Sequence, residues 1–212
     1  MSGTLTRVTD RAREIRDYWF GREPPDAANL SQRMRMWFGT GGGDPVQQAR
    51  DEELRTRFGD LVAQAARGEL AAWADSPRRR LSLILLLDQL PRNIYRGTAR
   101  AFATDREALE LTLTGIQSGA DAALDAVARI FFYMPLQHAE VAEVQEESVA
   151  AFRRLAGEAP EALREIFGRV LQHAEEHRAV IEQFGRFPAR NAALGRQSTP
   201  EERVFLEALG AQ

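Results

Sequence analysis

Along the whole of this 212-residue chain the apolar positions recur at spacings of three and four, and no alternating β-branched run flanked by turn residues appears. The pattern predicts an all-α protein. Its helices are expected at about Thr9 to Phe20, Leu30 to Phe38, Pro45 to Phe58, Asp60 to Ala74, Pro77 to Leu90, Asp105 to Ser118, Ala122 to Phe131, Gln137 to Ala156, Pro160 to Phe184 and Thr199 to Leu209. The joints are short, as between antiparallel neighbours. The most apolar stretch is Leu81 to Gly97, LSLILLLDQLPRNIYRG. Leu81, Leu83, Ile84, Leu85, Leu86 and Leu87 leave it no polar face, which predicts burial on every side. Ser76 and Pro77 form its N-cap and first helical position. Pro91 is expected to end it, since the ring clashes with the carbonyl four residues back. Asp88 then lies in the last turn, where the helix dipole disfavours a carboxylate, and it needs a partner such as Arg92 or Arg96.

Punctuation supports this division. Phe20-Gly21, Phe38-Gly39, Phe58-Gly59 and Phe184-Gly185 read as helix stops, with glycine free to adopt the left-handed conformation, whereas the pattern runs on past Phe167-Gly168. Gly39 to Asp44 reads as a mobile loop. It is no phosphate cradle, having no preceding strand and no Lys with Ser or Thr. Thr104 or Asp105 is expected to cap the helix that follows, Ser198-Thr199 the last one. Trp19, Trp37 and Trp73 follow the apolar pattern and are expected in the core.

Composition narrows the classes. A net charge of −3 and a pI near 5.8 give no footprint for nucleic acid or an anionic membrane. All 28 basic residues are Arg, which suits bidentate carboxylate contacts but reads first as compositional bias. There is no Cys, so disulfides, thiolate metal sites and Cys nucleophiles are all excluded. No apolar leader and no run of about 20 apolar residues is present. The chain is therefore read as soluble and cytoplasmic, a single all-helical domain over 1–212 that divides at most into two packed halves, 1–97 and 98–212.

Three polar clusters sit at the ends of apolar elements. The first is the tip around Asp88, Arg92, Asn93 and Arg96. The second is the turn after Pro135, where His138 falls on the stripe Val141, Val144, Ser148, Phe152 and Leu155 and so points inward, with Glu140 beside it. The third begins on a seam of Leu163, Ile166, Val170, His173, His177, Val180 and Phe184 and runs into Arg186, Arg190 and Asn191. His173 and His177 have metal-ligand spacing, and with Asp88 or Glu140 they offer a nitrogen and oxygen set. HAEEH is nevertheless not HExxH, so no metal and no cofactor is assigned.

The words DQLPRNIYRGTARAFATD, FFYMPLQHAE with QEESV, and HRAVIEQFGRFPARNAALGR with STPEE resemble the bacterial domain of unknown function numbered 924. YWFG and GELAAWADSPRRRLSLILLLDQ fit it too, so the resemblance covers about Asp17 to Arg203. It implies a multihelical TPR-like array of antiparallel helices, although no 34-residue period is visible in the chain. It assigns no activity. The family word has Ser and Asp where this chain has Ala139 and Val141, and it includes His177 but not His173.

Three functions are compatible with these residues. The leading one is a binding module, its polar pocket holding a small anionic ligand or a carboxylate peptide end through Arg92, Asn93, Arg96, Arg186, Arg190 and Asn191. The alternative is an enzyme with His138 or His177 as general base, oriented by Asp88 or Glu140, on an anionic substrate. Geometry separates the two: a base needs one ring nitrogen on a carboxylate and the other free, whereas a histidine capped on both sides is structural. In the third, the clusters are an ion-pair network that only fixes how helices cross, and function lies with a protein partner.

Overall fold

A computed structural model describes residues 2–22, 27–38 and 44–210, and of residues 2–10, 27, 28 and 31 the backbone alone. Among the described residues there is no strand. The helices are α1 (Ser2–Phe20), α2 (Ala27–Phe38), α3 (Pro45–Ala66), α4 (Pro77–Ile84), α5 (Leu90–Ile94), α6 (Asp105–Gln117), α7 (Ala126–Gln137), α8 (Ala142–Gly157), α9 (Arg164–Phe184), α10 (Asn191–Leu194) and α11 (Pro200–Gly210). The glycine loop expected at 39–44 lies, apart from Asp44, outside the described residues, as does the stop at Gly39. No described helix is long and apolar enough to cross a membrane.

The apolar stretch is the axis of the core. Leu81, Ile84, Leu85, Leu86 and Leu90 are all sealed from solvent, and each such side chain contributes about 1.5 to 3 kcal/mol by burial. Ser76 caps α4, accepting the N–H of Arg79. Pro91, however, does not stop the helix. Residues Leu85–Gln89 form a π-helical turn, in which the Leu90 N–H reaches back to the carbonyl of Leu85, and α5 carries the chain on through Pro91 to Ile94. The wider turn shifts the carbonyl that the proline ring would strike.

α7 packs beside this axis, against α4, α6 and α8, and α8 lies on α9. Phe131 is the aromatic hub, with Trp37, Phe20 and Trp19 edge-on to it at centroid distances of 4.7, 5.4 and 5.7 Å. All three tryptophans are buried.

Several boundaries differ from expectation. Gly59 lies inside α3, which is one helix where two were expected, because nothing there forces a left-handed residue. Gly21 and Gly185 do end helices, with φ of +86° and +67°. Pro135 sits inside α7, close enough to its end that few hydrogen bonds are lost, and the break falls at His138 to Val141. Val141 is therefore exposed and belongs to no buried stripe. On α9 the buried face is Phe167, Val170, Ala174 and Ile181, which turns His173 out to solvent beside Glu176.

Candidate functional site

The π-helical turn delivers Asp88 into the interior with no exposed surface. Its Oδ1 meets Nδ1 of His138 at 2.7 Å, and its Oδ2 accepts the side-chain N–H of Gln89 at 2.6 Å. Arg92 Nη1 stands 3.2 Å from the same Oδ1. Burial by itself would raise the Asp88 pKa, but Arg92, His138 and these hydrogen bonds outweigh it, and the carboxyl is held well below its usual range. An ionised carboxylate only accepts, so His138 carries its proton on Nδ1. Burial and then Arg92 push the His138 pKa down, which keeps the ring neutral. Nε2 thus holds a lone pair. No described residue hydrogen-bonds to it, and 14% of the His138 side chain remains exposed.

The turn that presents His138 is clamped. Gln145, buried in α8, donates to the carbonyls of Gln137 and Ala139 at 2.9 and 2.7 Å, while Arg190 donates to that of His138 at 2.8 Å. The carbonyls of Gln137, His138 and Ala139 thus each have a side-chain donor, and the ring is fixed from its own backbone. Arg92 grips Asp105 with two parallel bonds of 2.8 and 2.9 Å, and Arg190 reaches the same carboxylate at 3.2 Å. Phe102 lies under both guanidinium groups, and Phe187 under that of Arg190.

The other expected residues divide among three neighbouring groups. His177 flanks the dyad, its ring centroid 6.5 Å from that of His138 and 5.3 Å from Phe187. Its Nδ1 lies 2.8 Å from the carbonyl of His173, and burial followed by proximity to His138 lowers its pKa to about 4. Glu140 accepts the backbone N–H of Phe187 at 2.8 Å and pairs with Arg196 through bonds of 2.7 and 3.0 Å, so it is not a partner of either histidine. Arg186 and Asn191 both hold Glu202 of α11, in a cluster of their own. Asn93 and Arg96 face the opposite flank, where Arg96 binds Asp51 and Asn93 accepts from Gln47 and Arg96.

The expected ligand-binding residues therefore do not converge. Of the expected arginines, Arg92 and Arg190 come together, and each of the four is already bound to a carboxylate. Sequence reasoning missed Asp105, taken for a helix cap, as well as Gln145, Arg196 and Glu202. Asp105 had one available signal: it lies within the same word as Asp88 and Arg92. Among the described residues no group of three His, Asp or Glu side chains is placed to hold a metal ion.

No protein with a curated description matches the chain. Among solved structures, a protein of unknown function from Agrobacterium tumefaciens is similar at 36% identity and a TM-score of 0.75, over 95% of this chain and 99% of that one. The model of a bacterial protein of unknown function (DUF924) matches residues 15–210, and the chain belongs to that family.

Proposed function

We propose that the chain is an enzyme in which His138 is the general base and Asp88 orients it. The observation that carries this reading is the division of the imidazole: Nδ1 is bound to a buried carboxylate, whereas Nε2 is bonded to no described residue at a side chain that reaches solvent. Such a base removes a proton from water or from a substrate hydroxyl as it attacks, in hydrolysis or group transfer, and contributes about 10² to 10⁴ in rate. Arg92 and Arg190 remain on Asp105, and they favour negative charge developing nearby through their field rather than through a direct bond. A cytoplasmic setting with a small-molecule substrate belongs to the same proposal.

The anion-binding reading has less support. Arg92, Arg96, Arg186 and Arg190 would each have to release a carboxylate before holding a ligand, and that exchange gains little. A purely structural network accounts for Asp88 and Arg92 but not for an unoccupied Nε2.

The test compares wild-type protein with His138→Gln in two measurements. One is carbethoxylation by diethyl pyrocarbonate, followed residue by residue by mass spectrometry. The other is incubation with a bacterial metabolite extract, read by liquid chromatography and mass spectrometry. The expected result is that His138 is modified and that wild type alone depletes a defined species. A His138 resistant to the reagent, with identical extracts from both proteins, would overturn the proposal.

A further inference from the structure

Three arginines without a carboxylate lie together elsewhere. Between α1, α4 and the start of α7 is a cavity of about 520 Å³, bordered by Arg13, Arg16, Arg22 and Arg78 over apolar surface that includes Phe20 and Leu124. Two carboxylates, Asp17 and Asp125, also line it, against the four arginines. Asp17 pairs with Arg13 at 3.4 Å, and Asp125 caps α7 by accepting the N–H of Ala128 at 2.9 Å. Arg16, Arg22 and Arg78 enter no ion pair with any described residue.

Arg16 is the informative member. Its Nη1 donates to the carbonyls of Ala12 and Arg78 and to the Ser82 hydroxyl, at 3.0, 2.9 and 2.6 Å, all neutral acceptors. Nε and Nη2 donate to no described group and are not sealed within the protein, and Arg16 lines the cavity. Burial and the adjacent Arg78 lower its pKa, against a smaller opposing effect of Asp17. Buried charges are normally paired. The first turns of α4 and α7, which supply Arg78 and Ala128 to the cavity wall, add the positive ends of two helix dipoles.

We propose that this cavity binds a small organic anion, a single phosphate or carboxylate group carried on an apolar body. The anionic group lies among Arg16, Arg22 and Arg78, and the body rests on Phe20 and Leu124. The site is separate from the dyad. Ala128 and His138 stand at opposite ends of α7, about 15 Å apart at ~1.5 Å per residue.

Isothermal titration calorimetry tests this with phenyl phosphate, phenylacetate, inorganic phosphate and benzyl alcohol. Arg22 and Arg78 are exposed, and their side chains make no described hydrogen bond, so Arg22→Gln/Arg78→Gln leaves the fold intact, as circular dichroism would verify. Phenyl phosphate or phenylacetate should bind wild type and His138→Gln equally, and the double variant at least about tenfold more weakly. Benzyl alcohol should give no heat. Absence of binding by either aromatic anion at millimolar concentration would overturn the proposal, as would equal affinity in the double variant, or inorganic phosphate binding as tightly as phenyl phosphate. Binding lost in His138→Gln would place the ligand at the dyad and also overturn it.

Discussion

The hydroxyl of Thr104 donates to the backbone carbonyl of Leu87 at 2.6 Å. Leu87 is the residue four before Pro91, and its carbonyl is the one that a proline cannot serve. The bond therefore closes the gap left where the helix runs through its proline, and it ties the entry of α6 to the turn that carries Asp88. Both groups are buried. Thr104→Val keeps the shape and removes the donor, leaving a buried carbonyl unsatisfied at a cost of about 1 to 3 kcal/mol. Urea unfolding should show a lower midpoint at unchanged slope, and Thr104→Ser should restore most of the loss.

Asp88→Asn tests the tautomer rather than the fold. An asparagine can turn its amide N–H toward Nδ1 of His138, which moves the ring proton to Nε2 and removes the lone pair that the proposed base requires. Nitrogen-15 spectra of the histidine rings at neutral pH should show Nε2 of His138 unprotonated in wild type and protonated in the variant. Any activity found for the protein should fall by about 10³ to 10⁴ in Asp88→Asn, as where a triad histidine is held in the wrong tautomer. An unchanged spectrum would mean that Asp88 does not set the tautomer.

His177 makes the fold sensitive to mild acid. In the unfolded chain a histidine takes up a proton near pH 6.5, whereas in the folded protein burial and the neighbouring His138 delay this at His177 until about pH 4. Between those values the unfolded state binds more protons, so stability rises with pH. It is complete above about 6.5 and falls progressively as pH drops toward 4, by up to about 3 kcal/mol. His138, also lowered, adds in the same direction. Asp88, Glu140 and Glu202 are all depressed, so what they contribute is lost only at lower pH, as they protonate below the ordinary carboxylate range. Melting temperatures of wild type and His177→Gln, compared at pH 7 and pH 4.5, should show a smaller acid loss in the variant.

The fold class and the core were legible because helical periodicity and cap chemistry are local. Ser76 before Pro77 and Gly185 after Phe184 act within one turn of themselves. The π-helical turn was not legible, since a run of leucines presents the same apolar surface in either helix form and only its packing selects the wider one. The seam of α9 falls one position from the expected one at Ala174, because alanine gives a weak apolar signal next to a histidine although it is the buried residue. At the candidate site Asp88 and His138 could be named, each being a polar group in an apolar setting. Their pairing, and the sharing of Asp105 by Arg92 and Arg190, joins residues 50, 13 and 85 positions apart and is decided by tertiary contact.

Sequence position makes Glu140 a candidate orienting carboxylate for a histidine, and its observed contacts give it a different task. It accepts the N–H of Phe187 and both terminal nitrogens of Arg196, and Arg196 in turn donates to the carbonyl of Phe187 at 3.0 Å. Phe187 is buried against His177 and under Arg190, so this carboxylate fixes the wall of the site rather than its base. Glu140→Gln retains one acceptor for Phe187 but loses the paired bonds to Arg196, whereas Glu140→Ala loses all three. Hydrogen exchange at the Phe187 amide should therefore accelerate in the order wild type, Glu140→Gln, Glu140→Ala. The loss of all three bonds corresponds to about 1 to 3 kcal/mol of lost protection, roughly 5- to 160-fold in rate. The nitrogen-15 signature of His138 should be unchanged in both variants. A shift in that signature would return Glu140 to the role of orienting the base.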